Sequence, residues 1–85
     1  MYSIQIAASA YRDYKKIPKE KLAKINSAID GLKINPRPNG CKKLKNRDAY
    51  RVRADDYRII YEIHEKILII LVIRIRHRKE VYRRL

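Results

Sequence analysis

The chain has 85 residues, 46% of them hydrophobic, and 22 Lys+Arg against 9 Asp+Glu give a formal net charge of +13. That length holds one core, hence a single domain over residues 1–85, and the apolar fraction excludes a disordered basic arm. A lone cysteine (Cys41) excludes an internal disulfide, and two distant histidines (His64 and His77) offer no zinc spacing, so neither a metal nor a cofactor is expected.

Tyr2 to Ala7 alternates Tyr2, Ile4 and Ile6 with Ser3 and Gln5, which predicts a short strand with one buried face. Ser9 is placed to cap a brief helix over Ala10 to Ile17. Pro18 opens a second helix, where its missing N–H is not needed. From Lys19 onward Leu22, Ile25, Ala28, Ile29 and Leu32 recur at the spacing of one helical stripe. Asn35-Pro36-Arg37-Pro38-Asn39-Gly40 then ends the helix in a loop. Ala49 to Ala54, Tyr57 to Ile63 and Ile67 to Ile75 are rich in Tyr, Ile and Val, and read as three strands joined by hairpins at Asp55-Asp56 and His64-Glu65-Lys66. The expected fold is α+β in the order βααβββ: an antiparallel sheet with two N-terminal helices packed on one face, and a short C-terminal tail or helix. The longest aliphatic run, Ile67 to Ile73, is too short to span a bilayer, and Met1 to Gln5 does not resemble a signal peptide. A cytoplasmic protein with no membrane partner is expected.

Register decides which side chains share a face. A two-residue turn at Asp55-Asp56 sets Arg53 opposite Arg58, and directly opposed residues point the same way. A three-residue turn at His64 to Lys66 would set Arg58 opposite Val72. One face would then carry Tyr50, Val52, Tyr57, Ile59, Tyr61, Ile63, Ile67, Ile69, Leu71, Ile73 and Ile75 under the helices. The other would carry Arg51, Arg53, Arg58, Arg74 and Arg76 beside Ile60, Leu68, Ile70 and Val72. Opposed arginines cost stability unless an anion lies between them, so this face is a candidate anion site. The plain alternative is a solvated basic surface. Behind the last strand, Arg74 to Leu85 gathers cations around one histidine (His77) and one tyrosine (Tyr82), a mixture suited to gripping and breaking a phosphodiester.

Lys42-Lys43-Leu44-Lys45, Ala49-Tyr50-Arg51-Val52-Arg53, Asp56-Tyr57-Arg58-Ile59-Ile60-Tyr61-Glu62-Ile63 and the close His77-Arg78-Lys79-Glu80-Val81-Tyr82 together resemble the RelE-type toxins of the RelE/ParE toxin–antitoxin superfamily. The resemblance implies a ribosome-dependent endoribonuclease that cuts mRNA in the A site without a metal, inhibits translation, and is silenced by a cognate acidic antitoxin. By position, the family's paired basic residues fall on Arg51 and Arg53, its third-strand arginine on Arg58, its C-terminal tyrosine on Tyr82, and its last arginine on Arg76 or Arg78. Lysines are familiar at the first two positions. Arginine keeps its proton, so Arg51 and Arg53 can bind charge but cannot act as bases. His77 is the other candidate proton carrier, since imidazole is the side chain suited to proton transfer near neutrality. Lys42, Lys43, Lys45, Arg47, Arg74 and Arg83 are expected along rRNA or mRNA backbone. Ile60, Leu68, Ile70 and Val72 are expected under the antitoxin. Two other functions fit the same chain: a ParE-like gyrase inhibitor, and a non-catalytic RNA- or ribosome-binding homologue.

Overall fold

The computed structural model describes residues 1–79. In chain order the elements are β1 (Ser3–Ile6), α1 (Ala8–Lys15), α2 (Lys19–Gly31), β2 (Lys42–Lys43), β3 (Tyr50–Ala54), β4 (Tyr57–His64) and β5 (Ile69–His77). The βααβββ order is as expected, with the two-residue β2 added. The strands form one sheet in the order β1-β5-β4-β3-β2. It is mixed rather than wholly antiparallel, because β1 runs parallel to β5 with Ser3 opposite Ile69 and Ile6 opposite Val72. The chain from β1 to β5 passes through both helices and the hairpins, and this long return allows the parallel pairing.

The helices lie on one face of the sheet. Ile25, Ile29 and Leu32 of the α2 stripe are buried against Val52, Ile59, Tyr61, Ile70, Val72 and Ile75. Among the described residues, three of the polar contacts that seat the helices come from Tyr14, Lys21 and Ser9. Tyr14 Oη donates to Asn26 Oδ1 at 2.9 Å, joining α1 to α2, and Lys21 Nζ meets Asp55 Oδ2 at 2.9 Å, joining α2 to the β3–β4 turn. Ser9 does not cap α1; Ala7 holds that position, and Ser9 Oγ donates to the Ile73 carbonyl at 2.7 Å. The third contact therefore closes the edge of β5 just beyond the point where β1 stops.

The β3–β4 hairpin has the anticipated two-residue turn, with Ala54 opposite Tyr57 and Arg53 opposite Arg58. Asp55 takes φ 57° there, a left-handed conformation that aspartate tolerates. The β4–β5 hairpin differs from expectation. Its turn spans residues 65–68, with Leu68 at φ 56° and His64 opposite Ile69. Compared with a three-residue turn, this register moves every side chain of the first half of β5 to the other face. Ile70 and Val72 consequently face the helices with no exposure at all, while Ile69 and Leu71 turn to the open face. Between Ile60 and Tyr61 the register shifts by one residue: Tyr61 faces Val72, but Ile60 faces Arg74. The extra residue, Ile73, is a bulge that restores the original parity. Arg74 and Arg76 thus return to the face predicted for them, by a different route.

Candidate functional site

The open face of the sheet carries arginine from three adjacent strands. Arg53 lies opposite Arg58, and Arg58 lies opposite Arg76, in one row across β3, β4 and β5. Opposed Cα atoms in antiparallel strands are about 5 Å apart, so the row spans about 10 Å of backbone. A second row sets Lys42 opposite Arg51, Arg51 opposite Ile60, and Ile60 opposite Arg74. Gly40, Lys42, Arg51, Val52, Arg53 and Arg58 line a surface cavity of about 370 Å³. So many like charges on neighbouring strands destabilise the sheet unless counter-charge is supplied.

Part of that counter-charge is internal. Asp13 of α1 accepts from Arg74 Nε at 2.8 Å, from Arg74 Nη2 at 3.2 Å and from the Ile75 amide at 2.9 Å. Burial alone would push the Asp13 carboxyl up, but these donors and the nearby charge of Arg76 hold it below the usual aspartate value. Arg74, expected on RNA, therefore has its guanidinium engaged by α1. On the same face Glu62 lies between Arg47 Nη2 at 3.2 Å and His64 Nε2 at 2.9 Å, and His64 first, then Arg47, lowers its carboxyl.

The remaining anticipated residues divide. Arg51, Arg53, Arg58 and Arg76 come together. Arg78 lies past the end of β5 and donates its amide to the Asp56 carbonyl at 2.8 Å, so Arg76 is the partner of the row. His77 is not brought to the arginines. It is paired with Tyr57, meets that ring edge-on at 5.1 Å, and lines a small cavity of about 100 Å³ with Asp13, Lys16, Ile17 and Ile75. Lys43 shares the register position of Tyr50 on the helix-side face and approaches Asp48 at 3.7 Å, whereas Lys42 belongs to the arginine face. Lys45 is exposed in the loop before β3. Tyr82 and Arg83 lie outside the described residues. Of the expected antitoxin stripe, Ile60 is on the open face and Leu68 is 48% exposed in the turn, but Ile70 and Val72 belong to the core. Among the described residues, the open face presents the apolar Ile60, Ile69 and Leu71.

Two residues of the site were not anticipated. Gly40 has φ 86°, and a Cβ there would meet nothing within 4 Å, so its backbone borders open cavity space. Its signal was the Asn39-Gly40 pair, read only as loop. Asp13 gave no signal beyond being one acid in a basic helix.

The same two-helix, mixed-sheet domain occurs in the archaeal RelE–RelB complex of Pyrococcus horikoshii, with TM-score 0.80 and 26% identity over 91% of this chain and 94% of that one. RelE1 of Methanocaldococcus jannaschii is 31% identical over 96% of each chain, and toxin RelG of Mycobacterium tuberculosis 30% identical over 98% of each. Residues 4–82 match the family described as the ParE toxin of the type II toxin–antitoxin system parDE, and the chain belongs to this RelE/ParE superfamily of type II toxins. Among the described residues no helix is long and apolar enough to cross a membrane.

Proposed function

We propose that this toxin is a metal-independent endoribonuclease acting on mRNA in the ribosomal A site, in the cytoplasm. The observation that carries the reading is the row Arg53, Arg58 and Arg76 on one open face, flanked by Arg51 and Lys42 around the cavity. Arg53 and Arg58 grip the scissile phosphate through their planar donor forks, Arg76 extends the field, and Arg51 with Lys42 holds the neighbouring backbone. Guanidinium stabilises the charge that grows on the phosphorane oxygens. The 2′-hydroxyl gives its proton to a base and attacks phosphorus, the bond to the 5′-oxygen breaks, and that oxygen, hydrogen-bonded by an arginine N–H as it leaves, takes a proton from solvent water. The products are a 2′,3′-cyclic phosphate and a free 5′-hydroxyl. Arginine cannot take the first proton, and His77 faces the other side of the sheet; the role is assigned to Tyr82, the position that matches the family's C-terminal tyrosine.

The partner is an acidic antitoxin that covers the arginine face and the Ile60, Ile69 and Leu71 stripe, as a disordered segment folding on contact. The family match to ParE toxins supports a second reading, gyrase inhibition without cleavage. Expression in cells followed by mapping of 5′-hydroxyl mRNA ends separates the two. Codon-phased ends that vanish with Arg58→Ala and Tyr82→Phe support the nuclease. Growth arrest with intact mRNA and inhibited supercoiling replaces it with the second reading.

A further inference from the structure

The loop entering β2 is bolted to the helix-side face of the sheet, yet its far end forms one wall of the cavity on the open face. Tyr61, wholly buried in β4, donates its Oη to the Pro36 carbonyl at 2.6 Å. Its ring stacks on Tyr50 with centroids 6.0 Å apart and planes at 29°. Arg37 lies over Tyr50 at 5.1 Å, donates from Nε to Tyr50 Oη at 3.3 Å, and reaches Glu65 Oε1 with Nη2 at 2.7 Å. Pro36 and Arg37 are thus held by β3, β4 and the β4–β5 turn together. Three residues later the chain reverses at Gly40, the Cys41 amide donates to the Pro38 carbonyl at 3.0 Å, and Lys42 pairs with Arg51. This segment is short, and the Tyr61 side chain also meets that of Cys41, between Gly40 and Lys42, so Tyr61 ties the segment at both Pro36 and Cys41 and sets where Gly40 and Lys42 stand.

We infer that Tyr61 is a positioning residue for the anion cavity: through Pro36 and Cys41 it holds Gly40 and Lys42 against the arginine row, with Tyr50, Arg37 and Glu65 locking the outside of the loop. Tyr61 itself touches no ligand, since it points to the opposite face. The inference deepens the RNA-binding part of the proposed function, but not the cleavage step.

The test is binding of a fluorescein-labelled single-stranded RNA 12-mer to the full-length toxin, by anisotropy over a salt series. Lys42→Met should weaken binding and flatten the log–log salt slope by about 0.7, the value for one lost phosphate contact on a single strand. Tyr61→Phe keeps every charge and nearly all packing, yet should flatten the slope by a similar amount. The double variant should bind within about twofold of Lys42→Met, because both changes remove one contact. Arg37→Lys keeps the charge, loses the fork and the stacking, and sits at the exposed end of the clamp; it should shift the slope the same way and decides the matter if Tyr61→Phe does not fold. A wild-type slope in the clamp variants, or losses that multiply in the double variants, overturns the inference. Cleavage is read separately on translating ribosomes: coupling without cleavage leaves this inference standing and removes the nuclease reading, whereas cleavage without coupling does the reverse.

Discussion

Replacing Asp13 by Asn removes one charge and almost no volume from the contact that ties α1 to β5. Three hydrogen bonds end on this carboxylate, two from Arg74 and one from the Ile75 amide. A bond to a charged group contributes about 1.5–3 kcal/mol and a neutral one about 0.5–1.5, so the two bonds that an amide oxygen can still accept each lose about 1 kcal/mol, and the third, which would face an NH2, is lost at a cost of about another 1 kcal/mol. Asp13 is well covered, but the Arg74 side chain is 38% exposed and water screens its share, which brings the total to about 2 kcal/mol. For a domain of this size that corresponds to a midpoint about 8–15 °C lower. The carboxyl is held below its unfolded value, so its contribution is complete above about pH 4 and is lost as pH falls through the lower native value. Urea unfolding of both proteins from pH 7 to pH 2 should show a gap at neutrality that closes in acid. Coincident curves at pH 7, or a gap that persists unchanged at pH 2, would refute the assignment of Asp13 as a charged strap.

Arg53→Glu should place opposite charges face to face across β3 and β4, raising stability by about 0.5 kcal/mol in chemical denaturation while abolishing RNA binding. Ile70→Ala should destabilise the fold by about 2–5 kcal/mol, because Ile70 is wholly buried; Leu71→Ala should instead weaken antitoxin capture in calorimetry at nearly unchanged stability. Leu68→Gly relieves a left-handed φ of 56° at a half-exposed turn position and should raise the thermal midpoint by a few degrees; a fall would mean that the Leu68 side chain matters more than its backbone strain.

The readability of the fold followed the strength of local signals. The strand patterns stop and resume on either side of Asp55-Asp56, so a two-residue turn could be expected there without glycine, and with it the opposition of Arg53 and Arg58. The α2 stripe was equally plain, because Leu22, Ile25, Ile29 and Leu32 match the helical period. The β4–β5 turn lacks any glycine, and neither its length nor the Ile73 bulge leaves a mark in a run of seven consecutive aliphatics from Ile67 to Ile73. In such a run either face can be buried, and the choice is made by Tyr61 and Ile63 across the sheet. Ile70 and Val72 were misplaced for that reason; His77 keeps the helix-side parity that spacing gave it, and only the family-style closing motif suggested it for the arginine site. The parallel partner of β1 is a long-range choice that no local pattern encodes.

The single surplus residue at position 73 makes β5 a strand of two halves with opposite allegiance. Towards the hairpin tip its even-numbered side chains build the hydrophobic interior; beyond Ile73 the even-numbered positions belong to the open face, where Arg76 joins the arginine row and Arg74 turns back to Asp13. Insertion or deletion of one residue in this hairpin therefore cannot be neutral on its own: it would either drive arginine into the interior or strip isoleucine from it. Lineages of this chain should show length changes there only in compensating pairs, one in the turn and one at the bulge.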